Sequence, residues 1–228
     1  MADTPPAAPA AEASARERLV TAALELFNSR GYAATSVREI CAAAGVTKPV
    51  LYYHFESKEG LYLHVMKAGF SDLEPVLKAA RERTGPVRER LALLLDETYE
   101  LFLRHVPEVR LMHAIYYGPP QGAPPFDFEA YHKLVEDRVR ELIEAGAAAG
   151  ECAADRVEEA TWLVLGILNT AIEIHLCHPE VPFGRETILR MLDVVWRGMC
   201  APADAGRASS APTDRLSKTT PASEGTAR

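Results

Sequence analysis

The chain has 228 residues, 48% hydrophobic and 25% charged, with a formal net charge of −7. That length and balance suit a globular protein with one large and one small domain. The four cysteines, Cys41, Cys152, Cys177 and Cys200, are widely spaced and form no CxxC pair, which argues against a disulfide scaffold and for a reduced, cytoplasmic protein. The start, MADTPPAAPAAEASA, carries neither a basic leader nor a long apolar run, and a chain that neither leaves the cell nor spans a membrane is expected.

Residues 1–12, rich in Ala and Pro, predict a disordered tail, as do residues 201–228 at the other end. A first helix is expected from about Ala13 to Ser29, burying Leu19, Ala22, Ala23, Leu26 and Phe27, with Gly31 just past its end. Ser36 followed by Glu39 is a capping box and opens a second helix, with Val37, Ile40 and Ala43 on its apolar side. Gly45 ends that helix by supplying a left-handed residue. Thr47 is placed to cap a third helix with Lys48 and Pro49 in its first turn, where the missing proline amide costs little. Val46 and Leu51 point inward in this reading, leaving Thr47, Lys48, Val50, Tyr52 and Tyr53 free. Two helices joined by so short a turn, the second polar at its start, match a helix-turn-helix over 36–55, whose second helix enters the major groove.

The flanking residues sharpen that reading. Ala23, Leu26 and Phe27 ahead of Gly31 and Tyr32, then Thr35, Ser36, Arg38, Ile40, Ala44-Gly45-Val46 and LYYHFESKEGL from Leu51 to Leu61, resemble the tetracycline-repressor (TetR/AcrR) family of bacterial transcriptional regulators. The resemblance covers about a quarter of the chain. It implies an all-α protein: an N-terminal three-helix helix-turn-helix DNA-binding domain at 13–60, then a larger helical ligand-binding and dimerisation domain at 61–200.

Downstream, Ser57 is expected to cap a long fourth helix from Lys58 toward Arg83, kinked or broken at Pro75. Five further helices follow from Gly85-Pro86, Pro107, Phe126-Asp127, Asp155 with Glu158, and Gly184. The stretch GPPQGAPPF at 118–126 is a loop suited to a pocket mouth. Residues 155–177 are apolar over a wide arc (Trp162, Leu163, Leu165, Ile167, Leu168, Ala171, Ile172) and want a second partner. With 185–199, carrying Ile188, Leu189, Leu192, Val195 and Trp196, they would form a four-helix homodimer interface, as the resemblance also implies.

Residues 13–60 hold six Lys/Arg against five Asp/Glu, so the −7 of the whole chain leaves the remainder at −8. Arg38, Lys48 and Lys58 are expected on one basic face, with Arg16 or Arg18 nearby. Carried onto matching positions here, Arg38 and Lys48 are candidates for guanine edges, and Thr47 and Tyr52 for phosphates. Pro49 and Val50 would touch thymine methyls or sugar, Tyr53 and His54 the DNA backbone, and Lys58 would anchor a phosphate. Ser36 completes the set, whereas Val37 departs from the polar residue of some relatives.

For a small-molecule effector, His113, Tyr116, Tyr117, Phe126, Phe128, Tyr131, Trp162, Asn169 and Glu173 offer an aromatic lining with scattered polar groups, and core packing explains each equally well. Glu173, His175, Cys177 and His178 have the residue types of a metal site, but histidines near a helix carboxyl end also meet its partial negative charge, and that capping role is preferred. His132 and Glu136 are read as a solvated pair. No cofactor and no metal are expected. The chain has no GxSxG, GxxxxGK[ST] or GxGxxG, so an enzyme is the weaker rival, and an effector-independent architectural DNA-binding protein the other.

Overall fold

The computed structural model describes residues 14–200, so the two expected tails lie outside the described residues. All regular structure within them is helical: α1 Ala15–Arg30, α2 Val37–Ala43, α3 Lys48–Phe55, α4 Lys58–Ala68, α5 Leu73–Glu82, α6 Val87–Arg104, α7 Val106–Tyr116, α8 Phe128–Ala148, α9 Val157–Cys177 and α10 Arg185–Cys200, with a 3₁₀ turn Ala154–Arg156 before α9.

Capping chemistry explains four of these starts. At α2, Ser36 Oγ accepts from the Glu39 amide while the Glu39 carboxylate accepts from the Ser36 amide. The same box, Ser14 with Glu17, opens α1, two residues later than the sequence suggests. Ser57 accepts from Gly60 at the start of α4, and Asp127 from Ala130 at the start of α8. Each such cap stabilises its helix by about 1 kcal/mol. At α3 the expectation needs correcting: Thr47 holds the N-cap position, but its hydroxyl makes no cap bond.

The expected long fourth helix is two helices. It breaks at Gly69–Asp72, upstream of Pro75, where α7 passes so close that a side chain at Gly69 would meet Met112 and Glu108 within about 3 Å. Pro75 sits in the first turn of α5, where no helical bond needs its amide.

Two hydrophobic cores result. The N-terminal core, or head, joins Leu19, Ala23, Phe27, Ile40, Leu51 and Phe55 to Leu61, Tyr62, Val65 and Met66, and also takes in Leu111 and Met112 of α7. It therefore runs past the expected boundary at residue 60. The second core, the body, is built by α5, α6, α8, α9 and α10 around Leu91, Leu94, Leu95, Ile143, Val164 and Leu192. Phe70 and Val109 pack against both. The span Ala154–Cys177 is more apolar than expected, long and hydrophobic enough by composition to cross a bilayer. Within the fold 39% of its most apolar stretch is buried, packed against α6, α8 and α10.

Tyr62 is wholly buried, edge-on to Phe27 and Tyr32, and burial pushes its phenol up to about 12, with Tyr32 adding to the effect. Its hydroxyl has no hydrogen-bond partner among the described residues. Tyr62→Phe is therefore expected to leave stability unchanged or raise it in chemical denaturation, whereas losing a bonded hydroxyl costs roughly 0.5–1.5 kcal/mol. A loss above about 1 kcal/mol would contradict the unbonded assignment.

Candidate nucleic-acid interface

The orientation of α3 follows from two side chains. Leu51 and Phe55, one helical turn apart, are buried in the head core at 0% and 6% exposure. The opposite face is left to solvent: Thr47, Lys48, Pro49 and Tyr52 are exposed, and Tyr53 is 85% exposed. Val50 and His54 depart from this pattern. Both are half-buried, Val50 against the head core and the His54 ring between Tyr53 and Phe55. On α2 the Arg38 side chain is exposed. Ser36 is exposed too, but its hydroxyl is engaged with Glu39. Gly45, at φ 64, makes the turn between α2 and α3, and Arg18 of α1 donates to the Ala44 carbonyl beside it at 3.0 Å.

The segment Phe55 to Gly60 returns the chain from α3 to α4 by an unusually tight route. The Ser57 amide donates to the Phe55 carbonyl at 2.6 Å across Glu56, which has φ 64. This is a γ-turn at a non-glycine residue, a conformation costing about 1–3 kcal/mol. Gly60 is required because a Cβ there would lie 2.1 Å from the Phe55 carbonyl oxygen. The FESKEG motif thus fixes the angle between α3 and α4.

Lys58 differs from the expectation. Its ammonium donates to the carbonyls of Tyr32 and Thr35, each at 2.8 Å, and lies 4.0 Å from the centre of the Tyr32 ring. Burial lowers its pKa. Lys58 braces the loop between α1 and α2, and the phosphate anchor expected from the sequence is withdrawn. Of the three expected basic residues, Arg38 and Lys48 are exposed, whereas Lys58 is engaged with the loop. Arg16 donates to the His64 ring at 3.1 Å and lies over Phe55, and its neighbour Arg18 holds Ala44. The His64 pKa is lowered by burial, with Arg16 and Lys67 adding to the effect.

The expected effector residues divide into two groups. His113, Tyr116, Tyr117, Phe126, Phe128 and Tyr131 come together in one aromatic cluster where α7, the following loop and α8 meet. Trp162, Asn169 and Glu173 are exposed on α9 and do not join it. Trp162 instead lines an open groove of about 340 Å³ between α9 and α10, with Leu163, Gly166, Thr170, Met191 and Val194. A second open hollow, about 560 Å³, lies between residues 119–122 and the end of α1. His175 packs edge-on to Phe102, while His178 faces Glu180, so these two histidines have separate surroundings. Glu136 pairs with Lys133 and Arg140, which corrects the expected pairing with His132.

Comparison with known proteins decides what the head is. Residues 19–65, from the buried Leu19 of α1 to Val65 of α4, match the family model for bacterial regulatory proteins of the tetR family. Over these residues the head is similar to the DNA-binding part of tetR-family regulators. The chain is 40% identical over 90 residues to part of the HTH-type transcriptional activator FasR of Mycolicibacterium smegmatis, covering 40% of this chain and 41% of that protein. The chain thus spans about two fifths of that relative's length. The tetR-family regulator PfmR from Thermus thermophilus aligns over 79% of this chain and 97% of its own, at TM-score 0.64 and 26% identity. AibR, solved with isovaleryl coenzyme A and operator DNA, aligns over 83% of this chain and all of its own, at TM-score 0.57 and 24% identity, a likeness of fold.

For this tetR-type head, Lys58→Ala should cost about 1–3 kcal/mol in chemical denaturation, because two carbonyls lose their shared donor. Lys48→Ala, on an exposed side chain, should change stability by less than about 0.5 kcal/mol. Equal stability in the two variants would contradict the bracing role.

Proposed function

We propose that the chain is a homodimeric transcriptional repressor that binds a palindromic double-stranded operator through paired α3 helices and releases it when a small molecule binds the body. The observation that carries this reading is the solvent-facing surface of α3, with Thr47, Lys48, Pro49, Tyr52 and Tyr53 outward and Leu51 and Phe55 holding it from behind. Lys48 and Arg38 would donate to guanine edges, Thr47 and Tyr52 to phosphates, and Pro49 with the exposed part of Val50 would meet thymine methyls. Tyr53 and His54 would lie along the DNA backbone. No catalytic role is assigned, and the proposed location is the cytoplasm.

Dimerisation is supported by the groove between α9 and α10. Trp162 is 56% exposed, Leu163 55% and Val194 73%, a contiguous apolar strip of the kind that marks an association surface. Gly166 leaves room there for a second helix to approach. Two-fold pairing through this strip would place two heads on one duplex, as half-site recognition requires.

Release by a ligand requires that the ligand bind better to a conformation with misplaced heads. The cluster of His113, Tyr116, Phe126 and Tyr131 is the proposed effector region. AibR lends support, since the same fold there accommodates isovaleryl coenzyme A together with operator DNA. A second reading, DNA binding without an effector, is favoured by the division of the expected effector residues between two separate faces. Similarity to FasR adds that a protein of this type can act as an activator, with the same DNA contacts serving either outcome.

Selection of bound sequences from random duplexes tests the reading. The wild type should enrich a palindrome with half-sites about one helical turn apart, and Lys48→Ala should relax one position by about 1–3 kcal/mol. Val194→Glu in the groove should abolish the palindromic signal by separating the subunits. No enriched sequence, or enrichment unaffected by Lys48→Ala, would contradict it.

A further inference from the structure

The loop expected at a pocket mouth lines the hollow beside the end of α1, and it also reaches the head. Residues 118–126 run across the head and pack on the turn that follows α1. A Cβ at Gly31, which has φ 82, would lie 2.7 Å from the Gln121 side-chain oxygen, and one at Gly122 would lie 3.9 Å from the Ala33 methyl. Gln121 also donates back to the Ala114 carbonyl of α7 at 3.4 Å. Ala123 and Phe126 pack against the head core. Pro119, Pro120, Pro124 and Pro125 make the segment stiff, since proline fixes φ and lowers the entropy lost on ordering.

The far end of the segment is held by three nearly parallel rings. Phe70, from the break between α4 and α5, stacks on Tyr131 of α8 at 3.9 Å and 15°. Phe126 is stacked with Tyr131 at 5.6 Å and 3°, and with Phe70 at 5.9 Å and 11°. Phe70 packs against both cores, Tyr131 against the body core and Phe126 against the head core. The stack therefore joins head, loop and body at one point. Further ties between head and body include the burial of Leu111 and Met112 of α7, the bond from Asn28 to the Pro107 carbonyl at 2.9 Å, and Phe128 of α8 packed on the head core.

We propose that residues 118–126 are a strap that sets the angle of the DNA-reading head on the body, with the Phe70, Phe126 and Tyr131 stack as its latch. This rests on the DNA-binding reading above only for its consequence. A latched strap holds α3 at one angle, and an effector bound among the neighbouring aromatic side chains acts by moving Phe126 out of the stack. Unlike α7, the strap can shift without breaking a helix, so it is the tie a ligand of ordinary affinity difference can open.

The test is a distance measurement that needs no DNA. Spin labels are placed at Tyr53→Cys on the head and Leu134→Cys on the body, both exposed, in the full chain with Cys177 and Cys200 replaced by serine and labelled subunits diluted among unlabelled ones. Phe126→Ala should at least double the width of the distance distribution. Tyr117→Ala, at a ring 66% exposed that belongs to the cluster but touches no ring of the stack, should leave it unchanged. If Phe126→Ala lowers helical content, Phe126→Leu keeps bulk without the ring and should broaden the distribution by a smaller factor. A width equal to wild type in the folded variant overturns the strap, whatever the protein does with DNA. Where an operator has been selected, Phe126→Ala should also weaken its binding by about tenfold with every DNA-facing side chain intact; unchanged affinity alongside a broadened distribution would overturn the claim that the strap governs reading.

Discussion

Everything proposed for this protein depends on how α3 is seated. Leu51 and Phe55 are its two buried side chains, and a helix held by one such pair has only one face left to offer. Rotating α3 by one residue, about 100°, would bring Tyr52 inward and expose Leu51 to water, at a cost of roughly 1.5–3 kcal/mol for the leucine alone. The γ-turn at Glu56 and the close approach at Gly60 fix the other end. The reading face is thus defined by what is buried behind it, before any DNA contact is made.

The head is not an independent unit. Leu111 and Met112 of α7 belong to its core, and Phe70 and Val109 pack against both cores. A tilt of α7 or a shift of the loop after it must therefore move the head as well, because close-packed interiors transmit displacement more readily than they absorb it. Such packing is the physical connection that the proposed coupling between body and head requires.

Legibility in the sequence varies with how local the governing chemistry is. The capping box at Ser36 and Glu39, the turn at Gly45 and the cap at Ser57 each depend on residues within four positions of one another, and each forms as expected. Ser14 with Glu17 carries the same signal, which a helix start at Ala13 overlooks. Pro75 is the local sign of a break before α5, but the close approach of α7 that demands glycine at 69 is a contact between residues some forty positions apart that no local pattern encodes. Lys58 misleads for a similar reason. A lysine at a helix start looks like a phosphate ligand until the carbonyls of Tyr32 and Thr35 are seen to be within its reach. The effector set is only partly legible because aromatic composition does not say which faces converge: the residues of α7 and α8 meet, and those of α9 look outward.

Directed cleavage of DNA tests the seating of α3 most directly. An iron chelate attached at Tyr53→Cys, in a chain with Cys177 and Cys200 replaced by serine, should cut a selected operator in two clusters about one duplex turn, or roughly 34–36 Å, apart. The same chelate at Leu134→Cys on the body should leave the duplex intact. Cutting from Leu134→Cys, or none from Tyr53→Cys on DNA that is demonstrably bound, would show that another surface meets the groove.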